Sequence, residues 1–251
     1  MKKIILMMAF LLSACATENP LKDLRFQPIS SGKYTVASWH KITKTGSPVK
    51  IYIEGDGHAF DNRGRPTSDP TPEGLFLRKL AVDDTSDNVV YLARPCQYLM
   101  GKNCSKTDWT DGRFSSEIID SMDGAVGALM KKSKSNEMIL VGYSGGGFVA
   151  TQIALRHLDK TKKLITIAGV LNHQEWTDYH KDSPLSASID FNPKNSELDK
   201  INQVHYAGGK DTVVPVELIE AWTPDGTIRI VPKAKHHKGW EKIYGDIWSV
   251  R

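Results

Sequence analysis

The chain has 251 residues, 25% of them charged and 40% hydrophobic, with a formal net charge of +4. Lys2 and Lys3 belong to a removable N-terminal segment, and without them the charge falls to about +2, with acids and bases interspersed. That balance excludes a nucleic-acid footprint, and the absence of a second apolar stretch, a repeat or a low-complexity tract leaves one α/β domain of roughly 225 residues.

The first residues are Met1, Lys2 and Lys3, then an apolar stretch over 4–12, then Ser13, Ala14 and Cys15. A short positive segment, an apolar core too short to span a bilayer and small residues at its end predict a secretory signal over 1–14. Leu12, Ser13, Ala14 and Cys15 resemble the bacterial lipobox. That resemblance implies cleavage before Cys15, lipid on its thiol and acylation of the new amino terminus, with palmitate as the expected modification. Such a lipid anchors the chain to a membrane and leaves the domain in water. Ala16, where an aspartate would retain the protein at the inner membrane, implies the outer membrane facing the periplasm in a Gram-negative host. Residues 15–30 read as the lipidated terminus and tether, and 31–251 as the folded domain.

Residues 34–39 predict an antiparallel opening strand. Short apolar or β-branched runs follow at 49–53, 89–92, 138–141, 164–168, 204–206 and 228–231, with helix patterns at 115–130, 146–158 and 216–222. This alternation predicts a mostly parallel sheet with helices on both faces. The lysines at 131, 132, 134, 160, 162 and 163 read as solvated helix ends. Residues 170–202, with Trp176, Tyr179, Pro184 and Leu185, form a connection long enough to suggest a purpose, and are expected to make a small cap whose aromatic residues line an apolar acyl pocket, the alternative being a simple packed excursion.

Loops beyond the carboxyl ends of parallel strands carry function. After 138–141 comes Gly142-Tyr143-Ser144-Gly145-Gly146, and a helix pattern starts at once. Gly-x-Ser-x-Gly between a buried strand and a helix is the nucleophile elbow, in which the glycines let strand and helix pass closely and the helix N-terminus faces developing negative charge. Ser144 is the candidate nucleophile. A Walker loop is ruled out because Gly147 precedes Phe148 rather than Lys. A serine needs a histidine base and an acid to orient it, in the order serine, acid, histidine. Asp211, with His236 or His237, satisfies that order and follows predicted strands. His205 falls within a predicted strand and is expected to be a packed core residue.

Gly208, Asp211, Val214 and Pro215 resemble the Gly-x-x-Asp-x-x-Val-Pro acid turn of α/β-hydrolases. With the elbow, the 53–57 loop and Arg94-Pro95-Cys96-Gln97-Tyr98, the chain resembles small exported α/β-hydrolase lipoproteins of bacteria over about 49–240. The resemblance implies the α/β-hydrolase fold and a serine hydrolase, a carboxylic esterase first, with thioester or amide substrates as further options. It favours His236 over His237, because in similar chains the base stands four positions before a tryptophan, here Trp240. Backbone N–H groups of Gly145 and of Gly57 or His58 are the expected oxyanion donors, with the Asp56 carboxylate turned onto neighbouring N–H groups. Arg94 and Gln97 are expected to hold the loop or to meet a substrate carboxylate. Cys96 and Cys104, eight positions apart in an exported chain, predict a disulfide. The expected partners are a small acyl substrate and the membrane, with no nucleic acid, metal or organic cofactor. The competing readings are a silent envelope-binding lipoprotein and an acyltransferase.

Overall fold

Runs of apolar residues buried on both faces can only be central strands of a covered parallel sheet. Val49–Ile53 (β3), Asn88–Leu92 (β4) and Met138–Tyr143 (β5) are buried at every position. The computed structural model describes Leu21 and residues 23–250; the signal segment, Cys15 and most of the tether lie outside the described residues. The other strands are β1 (Arg25–Ser31), β2 (Tyr34–Ile42), β6 (Thr161–Ile167), β7 (Gln203–Gly208) and β8 (Ile228–Val231). They form one eight-stranded sheet in the order β1-β2-β4-β3-β5-β6-β7-β8. The β1/β2 and β2/β4 pairs are antiparallel and all others parallel.

The helices are α1 (Phe76–Val82), α2 (Ser116–Ser133), α3 (Gly145–Arg156), α4 (His173–His180), α5 (Val216–Trp222) and α6 (Tyr244–Ser249). Alternate strand residues feed opposite cores. Ile51, Val90 and Leu140 pack with Ile119 and Met122 of α2 and Phe148 of α3. Tyr52, Tyr91 and Val141 pack with Leu77 and Leu80 of α1, Ile247 of α6 and Trp240. The sheet is therefore a middle layer between helices, as expected. Four sequence expectations change in detail. The tether was drawn to residue 30, but β1 begins at Arg25 and pairs with β2. Lys162 and Lys163 open β6 rather than ending a helix. Tyr179 is 47% exposed and bonds Glu217, so it serves no pocket. The cap is a docked excursion carrying α4 and two single-turn helices, with Leu185, Leu198 and Ile201 buried in the α2/α3 core.

A charge stands in the middle of this sheet. Lys50 of β3 pairs with Asp84 at 3.0 Å, and both side chains are inaccessible to solvent. Its ammonium also donates to the carbonyls of Ile247 at 2.8 Å and Trp248 at 3.3 Å, while Tyr52 donates to Asp84 at 2.5 Å.

Cys96 and Cys104 are disulfide-bonded with Cα atoms 5.8 Å apart. The bridge closes a loop that holds Gln97, and Gln97 Nε2 donates to the Gly55 carbonyl at 2.9 Å. Cys96→Ser with Cys104→Ser is expected to lower stability by about 2 to 3 kcal/mol, the entropy credited to so short a loop. Urea melts of the pair against the parent check this; coincident midpoints would count against a stabilising bridge.

Candidate active site

Ser144 sits between β5 and α3 with φ 52° and ψ −125°, a strained conformation for a side-chain-bearing residue. The flanking glycines explain how the chain tolerates it. A Cβ on Gly142 would lie 2.4 Å from the Gly146 carbonyl oxygen, and one on Gly146 would lie 2.4 Å from that of Ile53. No larger residue fits either place without moving backbone. The Gly145 N–H is at the first position of α3, where it has no carbonyl of the helix to donate to.

The acid and histidine come from the loops after β7 and β8. These loops pass closely because a Cβ on Gly209 would meet the Pro232 carbonyl oxygen at 2.8 Å. Lys210 N–H donates to the Ala234 carbonyl at 2.9 Å and joins them. Asp211 Oδ2 lies 2.9 Å from His236 Nδ1, and His236 Nε2 lies 3.0 Å from Ser144 Oγ. Asp211 Oδ1 accepts from the N–H groups of Val213 at 2.8 Å and Val214 at 3.0 Å, which fixes the carboxylate. With the imidazole proton on Nδ1 toward Asp211, Nε2 is an acceptor for the serine hydroxyl.

The two adjacent histidines are separated by Tyr143. Its hydroxyl donates to the His236 carbonyl at 3.0 Å and lies 2.7 Å from His237 Nδ1. Burial, reinforced by His236, pushes His237 below the ordinary histidine range, so His237 is a neutral partner of the tyrosine. Trp240 Nε1 donates to the same His236 carbonyl at 3.1 Å. The four-residue spacing between histidine and tryptophan thus has a physical basis, since the buried indole pins the backbone that carries the imidazole. His205, in contrast, is buried in β7 between Thr166 and Gln203, and burial lowers its pKa to about 3.

The loop after β3 lies over the serine, in a different register from the one expected. Gly55 is the residue against Ser144: a Cβ there would sit 3.1 Å from Ser144 Cβ. Asp56 follows, with Oδ1 2.0 Å from where a Gly145 Cβ would be. The His58 N–H donates to the Pro70 carbonyl at 3.0 Å, so it is committed elsewhere, and Gly57 packs on Pro70 and Gln97. The His58 ring pairs with Glu73 at 3.1 Å.

Asp56 does not turn onto backbone N–H groups. Its carboxylate lies between two arginines, 2.8 Å from Arg94 Nη1 and 3.3 Å from Arg113 Nε. Arg94 also donates to the Arg113 carbonyl and stacks 5.0 Å from the Phe114 ring. Gln97 Oε1 accepts from the Arg94 N–H at 2.9 Å. Arg94 and Gln97 are buried at 4% and 2% exposure, and they hold the Gly55–Asp56 turn rather than facing a ligand. Glu54, buried behind the turn, accepts from Tyr91 at 2.6 Å and from the Gly55 N–H at 2.9 Å. Burial raises its pKa, with those donors opposing.

These groups open on a cavity of about 830 Å³ lined by Ser144, His236, Phe60, Phe76, Trp176 and Leu185, among others. The cap supplies one wall, as expected. Further lining comes from the long excursion between β3 and α1 and from Phe76 and Leu77 at the start of α1. Among the described residues no cluster of three potential metal ligands occurs.

No protein-family model matches the chain, and no curated protein matches it. Solved structures do. Est1E from Butyrivibrio proteoclasticus superposes with a TM-score of 0.60 at 12% identity, over 89% of this chain and 96% of that one. An α/β serine hydrolase without lid from Xanthomonas campestris gives 0.58 at 13% identity, over 90% and 92%. An α/β serine hydrolase homologue from Coxiella burnetii gives 0.55 at 15%, over 90% and 94%. The chain has the α/β-hydrolase fold.

Proposed function

We propose that this chain is a serine hydrolase that cleaves carboxylic esters while held at a bacterial membrane by a lipid on Cys15. The observation that carries the chemistry is the continuous hydrogen-bonded line from Asp211 through His236 to a strained Ser144 that lines a largely apolar cavity. Ser144 Oγ attacks the ester carbonyl as its proton passes to His236 Nε2. Charge gathers on the carbonyl oxygen, where the Gly145 N–H and the start of α3 stabilise it. The second donor in this reading is the Asp56 N–H, next in the chain to Gly55, which lies against Ser144, and without a hydrogen-bond partner among the described residues. His236 returns the proton to the departing alcohol. Water then repeats the cycle on the acyl-serine, with His236 as base and Asp211 orienting its charged form.

Membrane tethering is supported by the lipobox-like sequence ending at Cys15, which lies outside the described residues. The test of the chemistry is labelling by a fluorophosphonate probe. The parent protein is expected to label, Ser144→Ala to lose labelling wholly and His236→Ala to lose nearly all of it. A folded parent that stays unlabelled would sink the hydrolase reading in favour of a binding lipoprotein.

A further inference from the structure

Arg113 is a buried cation whose hydrogen-bonding capacity the protein leaves unused. Its side chain is 6% exposed and lines the same cavity as Ser144. Its only ionic neighbour among the described residues is Asp56, at 3.3 Å from Nε, and Nε itself has no hydrogen-bond partner. No side-chain N–H of Arg113 donates a hydrogen bond to any described acceptor. Asp56 is moreover shared with Arg94, which takes the shorter contact. One carboxylate between two guanidinium groups leaves that three-residue cluster with a net positive charge.

A buried guanidinium without acceptors is costly, by far more than a typical surface residue contributes. The surrounding rings offset part of that cost. The guanidinium carbon lies 5.7 Å from the centroid of Phe60 and 5.9 Å from those of Phe114 and Trp176. These aromatic faces fix the plane of the fork and stabilise its charge, but they accept no N–H in its plane. What such a fork lacks is a planar or tetrahedral oxyanion, the partner it binds best. The other acids of the cavity do not supply one. Glu54 is bonded to Tyr91 and the Gly55 N–H, Glu73 is bonded to His58, Asp111 accepts from the Thr110 hydroxyl at 3.3 Å, and Asp182, which also lines the cavity, forms no ion pair with Arg113.

We propose that Arg113 reads a negative charge on the substrate, so that the hydrolase acts on esters carrying a carboxylate or phosphate beside an apolar chain. The apolar chain lies along Phe60, Phe76, Trp176 and Leu185, and the anion meets the free edge of the guanidinium. This substrate class rests on Ser144 being the nucleophile, whereas anion binding by Arg113 does not.

The test is therefore equilibrium binding, without turnover, of three probes with the same six-carbon chain: hexanoate, hexyl phosphate and 1-hexanol. Calorimetry on the lipid-free domain is expected to give at least one anion a Kd about tenfold or more below that of hexanol, the scale of one charge-assisted pair. Comparing hexanoate with hexyl phosphate identifies which oxyanion the site prefers. Arg113→Gln is expected to erase the advantage, and Arg113→Lys, which keeps the charge but not the fork, to retain part of it. Hexanol binding as tightly as both anions would overturn the proposal in the parent protein alone, even if the variants fail to fold. So would an anion preference that survives Arg113→Gln. Anion selectivity in a protein that never labels with fluorophosphonate would keep the Arg113 site and discard the hydrolase.

Discussion

Asp211→Asn is expected to lower kcat for a 4-nitrophenyl ester by about ten-thousandfold while leaving the fold intact. The carboxylate accepts the Nδ1 proton of His236 at 2.9 Å and is itself held by two backbone N–H groups. An amide in its place can keep the Val213 and Val214 bonds through its oxygen. Its NH2 group then faces His236 and donates where the carboxylate accepted. The imidazole answers by moving its proton to Nε2, and a protonated Nε2 cannot take the proton of Ser144. The loss falls on kcat rather than on binding, because no substrate contact changes. His236→Ala is expected to cost at least as much, since the base itself is gone. Steady-state kinetics with parallel thermal melts check both. A fall of less than tenfold for Asp211→Asn in a folded protein would remove Asp211 from the path of the proton.

Gly146→Ala carries the largest expected effect on stability. The added Cβ would stand 2.4 Å from the Ile53 carbonyl oxygen and 2.6 Å from that of Glu54. Both atoms are backbone at the end of a central strand, so neither can rotate away as a side-chain tip would. Either α3 lifts off the sheet, which opens the contact of Phe148 and Val149 with the α2/α3 core, or β3 shifts against its two neighbours. We expect a loss of about 3 kcal/mol or more, at the upper end of overpacking effects, read as a displaced urea midpoint or as failure to accumulate soluble protein. A variant as stable as the parent would mean that elbow and strand are looser than they are drawn here.

The elements legible in the sequence were those whose physics is local. Strands in a parallel sheet are short apolar or β-branched runs, so 49–53 and 228–231 could be delimited to the residue even though each carries one charged side chain, Lys50 and Arg229. The elbow and acid turn were legible because close backbone passage demands glycine at fixed offsets. β1 was lost to the tether because Arg25–Ser31 is mostly polar without a sustained alternation and contains Pro28, a residue tolerated only where an edge strand needs no donor. α4, with sequence His-Gln-Glu-Trp-Thr-Asp-Tyr-His, lacks an apolar stripe and is held by Asn172 capping it and by Glu175 accepting from Trp222. The Asp56–Arg94–Arg113 cluster was illegible for a different reason. Its members stand 38 and 19 residues apart, and only the sheet order brings the loops after β3 and β4 together. Arg113 sits in a turn with no motif around it, and a single arginine beside a phenylalanine carries no signal of burial.

The Lys50–Asp84 pair has a bearing on the order in which this molecule can be built. Lys50 lies on a central strand, yet two of its acceptors are carbonyls at the last turn of α6, the first of them 197 residues further on. Translation therefore delivers the ammonium long before it delivers the groups that settle it in a dry interior. A nascent chain lacking α6 keeps the pair with Asp84 but lacks the two α6 carbonyls, and a buried charge short of some of its partners is costly to a fold. Burial of Lys50 in the sheet is thus coupled to the docking of α6. The first-made strand of the parallel sheet is therefore settled by one of the last-made helices described, which ties the two ends of the fold into one cooperative unit.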